Sequence, residues 1–490
     1  MSLPTALFRA EQVRELDRLG IAELKIDSYH LMQRAGRSAW DILRANWPAV
    51  RTICVVCGGG NNGGDGYVLA GLASKSGRRV HVFSLVPPAT LKGDARRAYQ
   101  FCRDSVGAEC QTFSPTSVTE ADVIVDAMLG TGLDREVSGV FLEAITAING
   151  SGKPVLALDI PSGLQADSGV IMGAAVRAAV TVTFVGMKQG LCSGAGREYC
   201  GRIYFSSLDL PGEFQDRLRP AAIRMDLSTQ SHLLNARARD AHKGHFGHVL
   251  VLGGDYGYAG AARMTAQAAA RTGAGLVSLG TRPEHAVAIP LAVPEIMAHS
   301  IKDIADLQPL LKKATVVAIG PGLGQSAWGS SLLTSVLETD LPLVIDADAL
   351  SMLARDPVVS ERWVLTPHPG EAARMLQTTT KAITADRFAS VQRLQEKYGG
   401  VCVLKGSGTL VANGDAIYCC SGGNPGMASG GMGDVLTGII AGLIAQNLGL
   451  AEAARLGVCL HAAAADASAG AGERGMLATD LMPWVRKLSN

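Results

Sequence analysis

The sequence predicts an α/β protein of two domains, each built on a mainly parallel sheet. Three observations carry that prediction. Short apolar runs alternate with helical segments along the whole 490-residue chain. Many of the 58 glycines gather just after those runs, where strand-to-helix turns approach ligands. The alternation breaks between residues 210 and 239, where Pro211, Gly212, Pro220 and several charges collect. A chain of this length also exceeds what one core usually serves.

Taken in order, residues 52–57 read as a strand entering GGGNNGGDG, residues 67–76 as a helix and 79–85 as the next strand. Residues 123–128, 155–160 and 180–185 follow as strands. Strands alternating with helices give a doubly wound parallel sheet, Rossmann-like in plan, over residues 1–218. Across residues 226–490 the alternation restarts. Residues 248–252 read as a strand and 260–271 as an alanine-rich helix. Further strands are expected at 276–279, 316–319, 343–345, 401–404 and 409–412. Residues 433–446 form a strong helix opened by SGGMGD. No sequence repeat links the halves, so they read as different domains.

Bulk properties exclude several function classes. The formal charge is +1 and no basic block stands out, so neither nucleic acid nor a membrane surface is an expected partner. The start, MSLPTALFRAEQVRELDRLG, lacks an apolar core segment and reads as an amphipathic helix, not a signal peptide. No run reaches the roughly 18 apolar residues of a membrane span. The 10 cysteines form no framework, which favours a reducing, cytoplasmic compartment. Cys54 and Cys57 stand three apart on a strand, facing opposite sides, and read as core residues. His242, His245 and His248 lie among glycines with no carboxylate or cysteine to complete a zinc set.

Gly58, Gly60 and Gly63 satisfy G-x-G-x-x-G between a strand and a helix. A dinucleotide fold also wants an acid, or an arginine for a 2′-phosphate, about 20 residues on. The next strand ends His81-Val82-Phe83-Ser84, which disfavours a plain NAD-dependent dehydrogenase. Asn61, Asn62 and Asp65 lie among the glycines. Backbone amides there suit phosphate, and the side-chain oxygens suit a hard cation. Asp126 closes a strand in VDAMLGTG, and Asp159 with Ser162 closes another in LDIPSG. The C-terminal strand ends of a parallel sheet converge on one crevice, so these groups are expected to meet there. The plain alternative is that Asp126 and Asp159 only cap neighbouring turns.

GNNGGDG, VDAMLGTG and LDIPSG, in this order after LMQRAG, resemble the NAD(P)HX epimerase family, the YjeF N-terminal domain. NAD(P)HX is NAD(P)H hydrated across its C5=C6 ring bond. The resemblance implies that Asn61, Asn62, Gly63, Gly64 and Asp65 hold the hydrated cofactor. It assigns the same task to Gly130, Thr131, Gly132, Leu133, Asp134, Arg135 and Glu136, and places Asp159 on the ligand. It also implies a potassium ion on Asn62, Asp126 and Ser162. Epimerisation needs a group that moves protons. Asp159 is the first candidate, because a carboxylate in a crevice can be tuned towards neutral pH. Lys188, in FVGMKQG, is the second, with an ordinary loop lysine as its alternative.

In the second half, Gly430, Gly431 and Gly433 precede a long apolar helix in SGGMGDVLTGIIAGL. Bare amides at that mouth stabilise a phosphoryl group in transfer. Asp434 stands at the helix start, where it can take a proton from an attacking hydroxyl; an ordinary helix-end charge is the alternative. KGSGT, comprising Lys405, Gly406, Ser407, Gly408 and Thr409, follows a strand and offers charge and donors to phosphate. No P-loop signature occurs. TPHPGE brings His368, for a ligand or merely a turn, and Glu371, suited to Mg²⁺ through water. GPGLG, from Gly320 to Gly324, adds a loop of close approach.

HKGHFGHVLVLGG, GPGLG, TPHPGE, KGSGT and GGMGD resemble, in their order, the ADP/ATP-dependent NAD(P)HX dehydratase family, the YjeF C-terminal domain. The resemblance implies a ribokinase-like fold for the second domain. It puts Lys405 to Thr409 and Gly433 on ADP or ATP, with Mg²⁺, and Ala261, Gly322, His368 and Asp434 on the hydrated substrate. Both domains together resemble the bifunctional NAD(P)H-hydrate repair enzymes. Such an enzyme interconverts (R)- and (S)-NADHX and NADPHX, then dehydrates the S epimer through phosphorylation of its C6 hydroxyl. Small molecules are its expected partners, and a homo-oligomer is expected; the apolar helix 435–444 faces either a core or a second copy and does not decide the oligomeric state. The rival is a ribokinase-like kinase of a vitamin alcohol with a non-catalytic N-terminal ligand-binding domain. It would leave a stable phosphate ester.

Overall fold

The computed structural model describes residues 3–490. The chain divides into two compact units between Ile223 and Arg224. In the first unit β1 (Ala6–Phe8) leads into α1 (Ala10–Leu24) and α2 (Ser28–Asn46). There follow β2 (Thr52–Cys57), α3 (Asn61–Lys75), β3 (Arg79–Ser84), α4 (Gly93–Val106), β4 (Gln111–Thr112), β5 (Val123–Ala127) and α5 (Gly139–Gly150). β6 (Val155–Leu158), β7 (Val180–Phe184), β8 (Met187–Lys188) and β9 (Arg202–Ser206) complete it. The sheet order is β4-β3-β2-β5-β6-β7-β9, with every neighbouring pair parallel. The winding reverses between β2 and β5, and such a switch point opens a crevice at the carboxyl ends of the strands.

Helices cover both faces of this sheet, which is why its central strands β2, β5, β6 and β7 are buried almost throughout. Val55 and Cys57 pack with Leu31 and Tyr67 on one side, while Cys54 and Val56 pack with Ile145 on the other. The two cysteines therefore part across the pleat. Outside the sheet, β1 pairs in parallel with β8, Leu7 opposite Met187 and Phe8 opposite Lys188. It also pairs antiparallel with β10 (Ala222–Met225) through Ala222 and Ile223.

The glycine-rich stretch departs from its reading as a loop. α3 begins at Asn61, so GNNGGDG supplies a first helical turn, not a turn before the helix. Each interior glycine costs about 1 kcal/mol of helix propensity. Close packing overrides that cost. A Cβ on Gly63 would lie 2.1 Å from the Gly58 carbonyl oxygen, and one on Gly66 would lie 2.4 Å from Ala127 Cβ. The missing methyls let α3 press against the ends of β2 and β5 with its first amides at the crevice.

The second unit contains β11 (His248–Leu252), α6 (Ala259–Thr272), β12 (Leu276–Thr281), β13 (Met297–Ser300), β14 (Val316–Ile319), β15 (Leu343–Ile345) and α7 (Ala347–Leu353). β16 (Trp363–Leu365), α8 (Pro369–Met375), α9 (Arg387–Tyr398), β17 (Val401–Leu404), β18 (Leu410–Ala412), β19 (Ile417–Cys420), α10 (Met432–Ala445) and α11 (Leu450–Ser468) follow. Its strands run β13-β12-β11-β14-β15-β16-β17-β18-β19, parallel as far as β17 and antiparallel beyond. α10 is buried nearly all round, with Val435, Leu436, Ile439, Ile440, Leu443 and Ile444 in the unit's own core. It lies hard against α6, since a Cβ on Gly438 would stand 2.1 Å from the Thr265 carbonyl oxygen. The apolar helix thus serves the core and not a partner.

Among the described residues no helix is long and apolar enough to cross a membrane. His242 and His245 stack with ring centroids 3.7 Å apart, while His248 turns to Ser278, Nε2 to Oγ 2.9 Å.

Candidate active sites

In the first unit a cavity of about 530 Å³ opens at the switch point. Asn61, Asn62 and Asp65 line it from α3, residues 130–135 from the loop after β5, Asp159 from the end of β6 and Lys188 from β8. Gly63, Gly64 and Glu136 are absent from its wall; Gly64 backs onto Met32, where a Cβ would stand 2.5 Å from the thioether.

Asp159 holds a left-handed backbone, φ +65°, which a non-glycine residue adopts at a cost. Its carboxylate accepts from the Lys188 ammonium. Lys188 also donates to Thr183 Oγ1 and the Phe184 carbonyl, both at 3.1 Å, and is 1% exposed. This is a buried ion pair, not a loop lysine. Pairing of β8 with β1 fixes it, so residues near the N-terminus seat a group far along the chain.

Beneath the cavity Asp126 is fully buried. Ser162 donates to it twice, through Oγ at 2.5 Å and its backbone N–H at 2.8 Å. Burial outweighs those bonds and pushes the Asp126 carboxyl up to about 6. Asn62 Nδ2 donates to the Leu129 carbonyl at 3.0 Å, and the Leu129 N–H donates to Ser162 Oγ at 2.8 Å. Asn62, Asp126 and Ser162 therefore share one small polar network. Within it Asn62 Oδ1 is buried with no hydrogen-bond partner among the described residues. A buried lone acceptor is costly unless a donor or cation meets it, so the oxygen set fits an alkali ion.

Sequence reasoning missed Asp17. It lines the same cavity from α1, and its carboxylate accepts no hydrogen bond among the described residues. Burial pushes its carboxyl up to about 7; Lys188 opposes that rise and Asp159 adds to it. Asp65 is pushed well above the carboxylate range by burial, then by Asp159 and Asp17. A signal was present. Val13, Leu16 and Gly20 are buried, and Asp17 stands at helical spacing on their face, where an apolar residue belongs.

The second unit gathers its candidates at the carboxyl ends of β15, β16 and β17. Lys405 Nζ donates to Asp346 Oδ1 at 2.6 Å and stands 3.9 Å from Glu371 Oε2. Thr437 Oγ1 donates to the other Asp346 oxygen at 2.8 Å. Burial works against charge on Asp346, yet Lys405 and Thr437 hold its carboxyl below the usual range. Neither Asp346 nor Thr437 was singled out from sequence. A Cβ on Gly433 would lie 3.2 Å from Lys405 Nζ, which places the helix mouth against the lysine. Asp434 is pushed up to about 7 by burial and then by Asp346, with Lys405 opposing.

The KGSGT loop rests on Arg387, 4% exposed, which donates to the carbonyls of Leu404, Lys405 and Gly408. His368 caps α8: its Nδ1 accepts from Gly370 N–H at 3.0 Å, while Glu371 Oε2 accepts from His368 N–H at 2.7 Å. The turn role is therefore real. It also assigns the ring proton of neutral His368 to Nε2, leaving that atom as a donor. Burial, then Lys405 and Arg374, lower its pKa and favour the neutral ring. Ala261 and Gly322 adjoin, a Cβ on Gly322 falling 3.3 Å from Ala261 Cβ. Thr265 Oγ1 lies 3.0 Å from the Asp434 carbonyl and ties α6 to this corner.

Two α/β domains, with a polar crevice in the first and a lysine–carboxylate cluster under a glycine-opened helix in the second, define a two-site enzyme with a ribokinase-like second half. The NAD(P)H-hydrate dehydratase family model matches residues 249–487, and the YjeF-related protein N-terminus model matches residues 28–190. A bifunctional NAD(P)H-hydrate repair enzyme of Coxiella burnetii is 50% identical over 99% of this chain and 100% of its own length. Its Escherichia coli counterpart is 42% identical over 100% of this chain and 95% of its own length. The crystal structure of a ribokinase-like superfamily protein from Enterococcus faecalis, 30% identical, overlies 54% of this chain and 94% of its own with a TM-score of 0.51. The chain belongs to the family of bifunctional NAD(P)H-hydrate repair enzymes, with an epimerase domain followed by a dehydratase domain.

Proposed function

We propose that the first unit interconverts the epimers of hydrated NADH and NADPH, and that the second dehydrates the S epimer with ADP or ATP. The observation carrying the second half is the meeting of Asp434, Lys405 and the bare mouth of α10. Hydroxide is a poor leaving group. In this scheme Asp434 takes the C6 hydroxyl proton, and the oxygen accepts a phosphoryl group from the nucleotide. The amides at residues 431–433 and Lys405 hold the charge that develops. The ring nitrogen then expels phosphate, and loss of a C5 proton restores the dihydronicotinamide. His368 Nε2 is a donor to the substrate, beside Ala261 and Gly322. Lys405 to Thr409 hold the nucleotide phosphates.

In the first unit Asn62, Asp126 and Ser162 would hold a potassium ion, which the unpaired Asn62 Oδ1 favours. Its positive charge would hold Asp126 ionised and brace the floor of the cavity. Glu371 already caps α8 and faces Lys405, so it would reach a magnesium ion through water. Such an ion would neutralise nucleotide phosphate charge.

The test is incubation with hydrated NADH and either nucleotide, following dihydronicotinamide absorbance and each epimer separately. Recovery of NADH from both epimers is expected. Accumulation of a stable phosphate ester would overturn the dehydratase reading in favour of a simple kinase.

A further inference from the structure

We propose that Asp17 is a second catalytic residue of the first unit, a general acid that works opposite Asp159 in epimerisation. The inference rests on the epimerase reading of this cavity. Three observations support it.

The first is what each carboxylate is already doing. Asp126 is sealed by Ser162, Asp159 is paired with Lys188, and Asp94 accepts from Ser28 and Arg97. Asp17 has no such commitment among the described residues, a freedom it shares only with Asp65 and the exposed Asp134 of the same cavity. The second is position. Asp17 stands on α1 next to the buried Val13 and Leu16, is itself partly buried, and opens into the cavity beside Arg14. Partial desolvation of a carboxylate there is a cost that an apolar side chain would not carry. The third is the company it keeps. Lys188 and Asp159 act on it electrostatically, and Asp65 is the remaining ionisable group near it from α3. The cavity thus offers a carboxylate paired with an ammonium. It also offers a second carboxyl, Asp17, whose burial favours its protonated form near neutral pH.

That asymmetry matches the chemistry of a cyclic hemiaminal. Carbon C6 of the hydrated ring carries a hydroxyl and is bonded to N1. In the forward step Asp159 removes the hydroxyl proton, the electron pair forms C6=O, and the C6–N1 bond breaks. Its electrons go to N1, which takes the proton of Asp17. Rotation about C5–C6 presents the other face of the aldehyde. In the reverse step N1 attacks that face and returns its proton to Asp17, and the alkoxide recovers its proton from Asp159. No electrons are gained or lost, and each carboxyl ends in its starting state.

The experiment uses the full chain, with separated epimers of hydrated NADH and no nucleotide. Asp17→Asn is expected to lower the epimer interconversion rate by about 100-fold or more, as loss of a general acid does. The alkaline limb of the pH profile should vanish with it, and Asp17→Glu should recover part of the rate. Nucleotide-dependent dehydration of the pure S epimer, and the thermal transition of the first unit, should stay as in the parent. Interconversion by Asp17→Asn within about threefold of the parent would overturn the assignment, being far below the usual effect of a lost general acid. So would a loss of rate that accompanies a lowered thermal transition and that Asp17→Glu leaves unrepaired. Failure of the parent protein itself to interconvert the epimers would instead overturn the epimerase reading.

Discussion

At the scale of single residues, the proposed dehydration uses a carboxylate that must be ionised to accept the hydroxyl proton. Burial and Asp346 push Asp434 up to about 7. Below that pH it carries a proton and cannot accept another, so dehydration should rise with pH through about 7 and level off above. Asp434→Asn should lower kcat by about 100- to 10,000-fold and abolish that limb. In the first unit, Asn62 Oδ1 makes a different prediction. If potassium meets that orphan acceptor, saturating potassium should raise the thermal transition of the first unit relative to lithium. A stabilisation of about 2.7 kcal/mol is expected at one hundred times the dissociation constant. Asn62→Ala should remove the potassium dependence, whatever its effect on rate. Lys188→Met leaves the Asp159 charge half-buried without its cation and should cost about 3–5 kcal/mol. Asp159 and Asp434 were legible in the sequence because each follows or opens an element at its ligand-facing end. Asp17 was not, because a lone aspartate among arginines and glutamates looks solvated until the stripe it shares with Val13 and Leu16 is seen to be buried. Asp346 and Thr437, 91 residues apart, meet only through the fold.

At the scale of elements, the positions of α3 and α10 are set by what their glycines lack. α10 brings the Asp434 carboxylate to Lys405 because Gly438 lets it settle onto the Thr265 carbonyl. Gly438→Ala should push the helices apart, costing about 1–3 kcal/mol in chemical denaturation and lowering dehydration rate as well. The buried central strands of both sheets were readable, since fully buried parallel strands are continuous apolar runs, while the short or partly exposed β4, β8, β9, β13 and β19 were not. The start of α3 was not. Local propensity assigns GNNGGDG to a loop, and only the proximity of Gly58 and Ala127 explains why a helix forms there. Arg387 escaped for a similar reason. Its role under the KGSGT loop depends on three carbonyls that converge on it after β17 and α9 come together.

At the scale of the whole molecule, each unit has its own core and its own set of candidate site residues. The activities should therefore separate cleanly by substitution. Asp159→Asn should abolish epimer interconversion yet leave dehydration of pure S epimer within about twofold, as substitutions that share no partners behave. Asp434→Asn should do the reverse. Assays of each variant with each epimer check both outcomes. The two-domain plan was legible because the alternation of runs and helices stops and restarts.

The pairing of β1 with β8 has a consequence for how the protein is made. Leu7 waits for Met187, about 180 residues downstream, before their ladder can close. A ribosome adds about 5–20 residues each second, so the leading strand stays unpaired for roughly ten seconds or more while the sheet behind it condenses. The lysine that pairs with Asp159 thus arrives late in the synthesis of the first unit, and the epimerase centre is completed after most of that unit's framework has emerged.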